Sequence, residues 1–245
     1  MKMKNNFKVI VLGAGTGGVS SAAKLSGLIG PENIAIVDPA EKHYYQPLWT
    51  LSGAGLAPKE QTEKSMNSII PSGVTWFKEK VEKVDPLNKT VSCTNGVTLN
   101  YDFLLVATGL ILNWDKIEGL KGNLGKNGIC TIYQYDQVDY ASELINNFKG
   151  GKAVFVMPPP PIKCAGAPQK IMYLAENIFR NNGVRHKSEI FFATPGKAMF
   201  GVPVFADALG VIAKEKGITP KYLHKIVGVD AQKKQAIFDV TDADG

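Results

Sequence analysis

The stretch KVIVLGAGTGGVSSAAKLSGL, residues 8–28, decides the fold of this chain. Its first five residues, 8–12, form a short apolar run of the kind found in a buried β-strand. A glycine-rich turn with the pattern G-x-G-x-x-G follows at once over residues 13–18, and the Ala, Ser and Leu of residues 19–28 favour a helix. The sequence therefore predicts a strand that passes through a glycine turn into a helix.

A second apolar run, residues 33–37, follows this helix and ends at Asp38. Strand, glycine turn, helix, strand and acid together span about 30 residues, the length of one βαβ unit. In this context Gly13 permits the tight turn, Gly15 lets the backbone approach a pyrophosphate, and Gly18 lets the helix pack closely on the sheet. The helix N-terminus offers free N–H groups to phosphates, and Asp38 can accept hydrogen bonds from a ribose. The pattern predicts a dinucleotide site.

Beyond Asp38 the chain departs from a simple dinucleotide-binding domain. Residues 43–49, HYYQPLW, form an aromatic and polar segment. Residues 74–84 and 90–99 have the composition of strands in a small meander. The next segment, YDFLLVATG at 101–109, predicts a strand that ends in Ala-Thr-Gly.

The second half of the chain repeats the βαβ order. Residues 152–157 and 189–193 have strand composition, and residues 169–182 favour a helix between them. The connecting loop contains a single glycine and four consecutive prolines, 158–161, which have no N–H groups to offer a pyrophosphate. We therefore expect a second dinucleotide-binding-type fold whose loop cannot bind a pyrophosphate.

Cys164 lies in the same proline-rich loop. Pro168 suits the first turn of the following helix, so Cys164 is expected just before a helix N-terminus and beside Lys163. Both neighbours stabilise a thiolate. On these residues alone, a reactive thiol and a buried structural cysteine both remain open.

Composition sets further bounds. The chain has 245 residues, 44% of them hydrophobic, and a formal net charge of +6. No apolar run approaches the roughly 18 residues of a membrane-spanning helix, and no motif for nucleic-acid binding is present. Three cysteines are too few and too scattered for a disulfide framework, and none has zinc-site spacing. Residues 1–7 lack the features of a secretory signal or a mitochondrial transit peptide, so we expect either none or one already removed.

The motifs together resemble a known superfamily. The glycine turn, Asp38 and the strand 101–109 are similar to the flavoprotein disulfide reductases, in which the first two bind FAD. Residues 161–174, 43–47 and 70–74 more specifically resemble the eukaryotic-type sulfide:quinone oxidoreductases, and this likeness extends over nearly the whole chain.

The resemblance implies an α/β fold of the FAD/NAD(P)-binding, Rossmann-like type with two dinucleotide-binding-type domains. Residues 1–115 would be the N-terminal part of the FAD-binding domain, 116–150 a connecting segment, and 151–245 a truncated second Rossmann-like domain without an NAD motif. Members of this family are longer, so we expect the FAD domain to be incomplete at its C-terminus. The second redox cysteine and a membrane-contact segment would lie outside this chain.

The resemblance also implies site residues. FAD would be held by Gly13, Gly15, Thr16, Gly17, Gly18, Asp38, Gln46, Val81 and Gly109. Cys164 would carry the disulfide and persulfide, with Lys163 and Lys170 supplying positive potential for an anionic sulfide. Cys130 is expected to be an accessory thiol and Cys93 a structural one; no metal site is expected.

The implied function is FAD-dependent oxidation of hydrogen sulfide, with electron transfer to a quinone and sulfur transfer to a thiol or other sulfane-sulfur acceptor. The implied location is peripheral on the mitochondrial inner membrane, or on the cytoplasmic membrane of a bacterium. Three alternatives stay open: an NADH:quinone oxidoreductase, a flavocytochrome sulfide dehydrogenase, and a catalytically incompetent truncated form.

Overall fold

The chain divides into two compact units in the computed structural model, which describes residues 4–241. One unit comprises Met1–Tyr45 and Glu60–Ile111, and the other comprises Gln46–Lys59 and Leu112–Gly245. The short segment 46–59 therefore belongs to the second unit, although it is flanked in sequence by the first. As a result, the chain passes from one unit to the other three times.

Within the described part of the chain, the first unit contains a single α-helix and eight strands. They are β1 (Asn6–Leu12), α1 (Thr16–Ile29), β2 (Ile34–Val37), β3 (Lys42–Tyr44), β4 (Glu63–Ser65), β5 (Thr75–Phe77), β6 (Val81–Asp85), β7 (Thr90–Cys93) and β8 (Thr98–Val106). Six of these strands form one sheet in the order β5-β2-β1-β8-β7-β6, and β3 pairs with β4 in a separate antiparallel ribbon.

The centre of this sheet is parallel and apolar on both faces. β1 pairs in parallel with β2 on one side and with β8 on the other, so that Ile10 lies opposite Ala35 and Leu104. Alternate residues of β1 enter two different cores: Ile10 packs in one, Val9 and Val11 in the other. A strand buried on both faces needs a continuous apolar run, which explains the composition of residues 8–12.

One expected strand is in fact two. The meander β6-β7-β8 is antiparallel, as expected, but residues 74–84 do not form a single strand within it. β5 pairs in parallel with β2, at the opposite edge of the sheet from β6. Phe77 is buried in the core, where its ring meets that of Phe7 edge to face, whereas the charged residues 78–80 leave the sheet edge and connect to β6.

The second unit contains the predicted second βαβ arrangement. Its elements are α2 (Trp49–Gly53), α3 (Val138–Asn146), β9 (Gly151–Val156), α4 (Ala167–Asn181), β10 (Ser188–Ala193), α5 (Pro203–Glu215), β11 (Ile218–Lys221), β12 (His224–Asp230) and β13 (Gln235–Val240). β9, β10 and β11 form a parallel sheet in the order β11-β10-β9, and β12 and β13 form an antiparallel hairpin. The helix α4 connects two adjacent parallel strands, as a βαβ crossover requires.

The core of the second unit forms around α4. Met172 and Phe179 of this helix are buried together with Phe192 of β10, and the ring of Phe179 stacks on Phe148 with centroids 4.4 Å apart. The segment that contains α2 joins the same core. A Cβ on Gly53 would lie 2.6 Å from Cγ2 of Ile132, so the backbone of α2 approaches that side chain closely.

Two further contacts fix α2 in this unit. The ring centroids of Trp49 and Tyr135 lie 6.1 Å apart, and the Asn146 amide donates to the carbonyl oxygen of Ala54 at 3.2 Å. Trp49 and Ala54 are both buried. The position of α2 therefore depends on residues more than 75 positions away in the sequence.

A buried carboxylate connects three elements of the second unit. Glu176 of α4 is fully buried, and its side chain pairs with Lys216 at 2.8 Å, with Arg185 at 3.4 Å and with Arg180 one helical turn away. Burial by itself raises the pKa of this carboxyl, but hydrogen bonds from Lys216 and Arg180 outweigh it and the net pKa is lowered. Glu176 is therefore ionised at neutral pH.

None of the helices within residues 4–241 combines the length and the apolar character that crossing a membrane would require.

Candidate functional site

The glycine turn between β1 and α1 is built by close packing. Gly13 has φ of +98°, a conformation that L side chains rarely adopt, and a Cβ there would overlap the carbonyl oxygen of Ala107. A Cβ on Gly18 would overlap the carbonyl oxygen of Gly13. These two glycines therefore permit contacts between backbone segments. In contrast, a Cβ on Gly15 would meet no atom within 4 Å.

The Ala-Thr-Gly segment lies against this turn. Ala107 directly follows β8 and donates from its N–H to the carbonyl oxygen of Leu12 at 2.8 Å. Gly109, two residues later, is exposed and has φ of +74°. The structure thus brings together the two motifs that the sequence singles out in the first unit.

Asp38 closes the turn from the other side. Its Oδ2 accepts a hydrogen bond from the Ala14 N–H at 2.6 Å, and its Oδ1 accepts one from the Ala40 N–H at 2.7 Å. The Ala14 carbonyl oxygen lies 3.2 Å from Nδ1 of His43, on β3. Each carboxylate oxygen has two acceptor positions, so Asp38 keeps capacity for a ribose hydroxyl.

The other residues proposed for the cofactor lie at the end of the turn or outside it. Thr16 and Gly17 are the first residues of α1, where N–H groups have no partner within the helix. Val81 is half-buried at the start of β6 and packs against the core. Gln46 begins a short 3-10 turn, Gln46–Leu48, and belongs to the second unit. Their roles toward a cofactor stay predictions.

Cys164 is exposed in the loop between β9 and α4. Its carbonyl oxygen accepts hydrogen bonds from the Ala167 N–H at 3.3 Å and from the Tyr133 hydroxyl at 2.8 Å. α4 begins at Ala167, with Pro168 in its first turn, so Cys164 precedes the helix N-terminus as expected. An exposed thiol at such a position can reach a ligand from solvent.

The side chains around Cys164 are partly desolvated. Burial lowers the pKa of Lys163, an effect that the adjacent Cys164 partly opposes. Burial, reinforced by Cys164, raises the pKa of Tyr133 to about 12. Tyr133 therefore keeps its proton, and the hydrogen bond to the Cys164 carbonyl, throughout the physiological pH range. Lys170 is exposed in the first turns of α4.

The other two cysteines differ from Cys164 in their surroundings. Cys130 is accessible to solvent, but the protein atoms around it raise the pKa of its thiol to about 11 through desolvation, so it is protonated at neutral pH. Cys93 is completely buried in the core of the first unit. Its burial, with a smaller contribution from Glu79, raises its pKa. Cys130 as an accessory thiol stays a prediction.

Sequence reasoning missed two polar side chains that hold these loops. His43 contacts Ala14 across 29 positions of sequence, and Tyr133 contacts Cys164 across 31. His43 lies in the aromatic segment noted above, but no sequence pattern indicates its partner. Among residues 4–241, no group of three or more His, Cys, Asp or Glu side chains is arranged to hold a metal ion.

Comparison with known proteins identifies the family. The model of the family described as pyridine nucleotide-disulphide oxidoreductase matches residues 7–156, more than half of the chain. This chain belongs to the pyridine nucleotide-disulphide oxidoreductase family. The match covers the glycine turn, Asp38, the Ala-Thr-Gly segment and β9.

Two curated relatives of this chain have the same name, mitochondrial sulfide:quinone oxidoreductase. The protein of Dictyostelium discoideum is 40% identical over 240 residues, which is 97% of this chain and 53% of that protein. The protein of Mus musculus is 40% identical over 242 residues, 99% of this chain and 54% of that protein. These identities confirm the expected resemblance, and the chain spans about half the length of the relatives it matches.

A solved structure has the same fold. The crystal structure of the sulfide:quinone oxidoreductase from Aquifex aeolicus aligns with a TM-score of 0.80, at 20% identity, over 96% of this chain and 55% of that chain. The expected α/β fold of the FAD/NAD(P)-binding, Rossmann-like type is confirmed.

Proposed function

We propose that this chain is the dinucleotide-binding and sulfur-handling part of a sulfide:quinone oxidoreductase. The observation that carries the proposal is the exposed thiol of Cys164 at the loop between β9 and α4, where four prolines replace a second phosphate-binding glycine turn. The 40% identity to two relatives of that name supports it. Both relatives are named as mitochondrial, which supports a mitochondrial location for this protein, and we propose that it contacts the inner membrane peripherally.

We infer that the cofactor is FAD, held at the glycine turn. The space beside Gly15 is open, because a Cβ there would meet no atom within 4 Å, and the N–H groups of Thr16 and Gly17 begin α1. A pyrophosphate fits here, because the first N–H groups of a helix are free to donate and the positive end of the helix dipole lies at its N-terminus. Asp38 would accept the hydroxyls of the adenosine ribose. When bound, FAD supplies a two-electron acceptor that can be reoxidised by a quinone.

Cys164 would handle the sulfur. In the oxidised protein it would form a disulfide with a second cysteine outside this chain. Hydrosulfide attacks one sulfur of that disulfide; the S–S bond breaks, the attacked cysteine becomes a persulfide, and the other leaves as a thiolate. The persulfide sulfur then passes to an acceptor thiol. Restoring the disulfide releases two protons and two electrons, for which a bound FAD would supply the acceptor.

Lys163 and the N-terminus of α4 would assist this exchange. A neighbouring cation and a helix N-terminus both offer positive potential to an incoming hydrosulfide anion. The Tyr133 hydroxyl stays protonated at neutral pH, because burial raises its pKa to about 12. The hydroxyl instead holds the backbone of Cys164 through the 2.8 Å bond.

The test compares two cysteine variants of the full-length, FAD-loaded protein. Cys164→Ser keeps the size of the side chain but forms neither a disulfide nor a persulfide, so sulfide-dependent reduction of a quinone analogue should fall to the background rate while flavin content stays unchanged. Cys93→Ala, at a buried thiol, is the matched control and should keep most of the activity.

A mass-spectrometric measurement supports the same test. After treatment with polysulfide, the peptide that contains Cys164 should gain the mass of one sulfur atom, and the gain should disappear on reduction. Near-normal turnover of Cys164→Ser, with flavin bound, would remove this residue from the mechanism.

A further inference from the structure

The peptide between Ala14 and Gly15 lies at the centre of the glycine turn. Both backbone polar groups of Ala14, its N–H and its carbonyl oxygen, have a side-chain partner. The Ala14 N–H donates to Oδ2 of Asp38 at 2.6 Å, and the Ala14 carbonyl oxygen lies 3.2 Å from Nδ1 of His43. Ala14 itself is fully buried. The residue can therefore neither rotate nor shift without breaking one of these two contacts.

The contact assigns the tautomer of His43. A carbonyl oxygen only accepts hydrogen bonds, so Nδ1 of His43 must carry a proton. In the neutral ring this leaves Nε2 as an acceptor. His43 is placed by its strand, since β3 pairs with β4 and His43 lies opposite Lys64.

The geometry of a trans peptide gives this contact a consequence. The C=O of one residue and the N–H of the next point in opposite directions across the planar peptide. By holding the Ala14 oxygen, His43 turns the Gly15 N–H to the opposite side. Gly15 is the N-cap of α1, so its N–H lies at the start of that helix. If the peptide flipped, the Ala14 oxygen would take the place of the Gly15 N–H there and would repel an anion.

We propose that His43 is a positioning residue for the phosphates of the dinucleotide: its bond to the Ala14 oxygen aims the Gly15 N–H at the pyrophosphate. The inference rests on the proposed function only in assuming that the turn binds a dinucleotide. His43 acts through the backbone, whereas Asp38 would also touch the ribose. The two residues therefore differ in the part of the ligand whose affinity they affect.

The experiment measures the binding of ADP and of adenosine to the chain by calorimetry. These probes share the ribose, and only ADP carries the pyrophosphate. His43→Ala should weaken ADP binding about tenfold, the effect of losing one oriented hydrogen bond, and should leave adenosine binding unchanged. His43→Asn, whose side-chain amide nitrogen is as many bonds from Cα as Nδ1 and can donate to the same oxygen, should recover part of the ADP affinity.

His224→Ala is the matched control. The Nδ1 atom of His224 also contacts a backbone carbonyl oxygen, that of Tyr222 at 2.6 Å, but His224 lies in the second unit. This variant should bind both probes as the unmodified chain does.

The outcomes separate the inference from the proposed function. If Asp38→Ala weakens ADP binding and His43→Ala does not, the role of His43 is wrong and the dinucleotide site stands. Equal losses for ADP and adenosine in His43→Ala would show a general disruption of the turn and would also overturn the inference. If the unmodified chain binds neither probe, the dinucleotide site fails and the inference fails with it.

Discussion

Asp38 combines a structural and a proposed binding role in one carboxylate. Its two oxygens accept backbone hydrogen bonds from Ala14 and Ala40, and its remaining acceptor positions would meet the ribose. A charge-assisted hydrogen bond contributes about 1.5–3 kcal/mol. Asp38→Ala should therefore lower the affinity for FAD roughly tenfold or more. The measurement is flavin absorbance per chain after purification.

Asp85→Ala is the matched control for this prediction. Asp85 also accepts backbone hydrogen bonds, from Leu87 and Asn88, and lies in the same unit, but at a turn between β6 and β7. It should retain flavin normally. Unchanged flavin content in Asp38→Ala would reject the assignment of this residue to the ribose.

At the scale of elements, we expect the loop between β9 and α4 to exclude NADH as an electron donor. Prolines 158–161 have no N–H groups, and a pyrophosphate at this position would find no cradle of amides. NADH mixed with the FAD-loaded protein should therefore leave the flavin oxidised, whereas sulfide should bleach it. Stopped-flow absorbance measures both reactions. Rapid bleaching by NADH would favour an NADH:quinone oxidoreductase instead.

The ion cluster around Glu176 connects α4 to the elements that follow it. Glu176→Gln would leave Lys216, Arg185 and Arg180 without their shared carboxylate. Loss of a buried ion-pair partner costs about 3–5 kcal/mol, and partly exposed cations reduce this to about 2 kcal/mol here. The free energy of unfolding in urea should fall by that amount. Glu143→Gln, at an exposed position of α3, should leave it unchanged.

The same cluster predicts the sign of a pH effect. The pKa of Glu176 is lower in the folded chain than in the unfolded chain. Its contribution to stability is therefore complete above the unfolded pKa and is lost as the pH falls through the folded pKa. Urea denaturation at acidic pH should show a smaller difference between Glu176→Gln and the unmodified chain than at pH 7. A constant difference would contradict the assigned pKa direction.

At the scale of the whole molecule, local patterns explain which features the sequence alone could predict. Apolar runs around one glycine turn predict β1, α1 and β2. The same order of two apolar runs with a helical segment between them predicts β9, α4 and β10. The placement of β5 could not be predicted, because a three-residue strand has no local preference between two sheet edges. Cys164 was found through its local setting, whereas the contacts of His43 and Tyr133 depend on how distant segments meet.

The triple passage of the chain between the two units has a consequence for synthesis on the ribosome. Residues 46–59 emerge early, but Ile132, Tyr135 and Asn146, against which α2 packs, are translated more than 70 residues later. Until then Trp49 has no core to enter. Domains usually fold as units in the order of their synthesis. Here the nascent first unit can form its sheet only with an unfolded loop extending from it, and this loop is where a chaperone would find exposed apolar side chains.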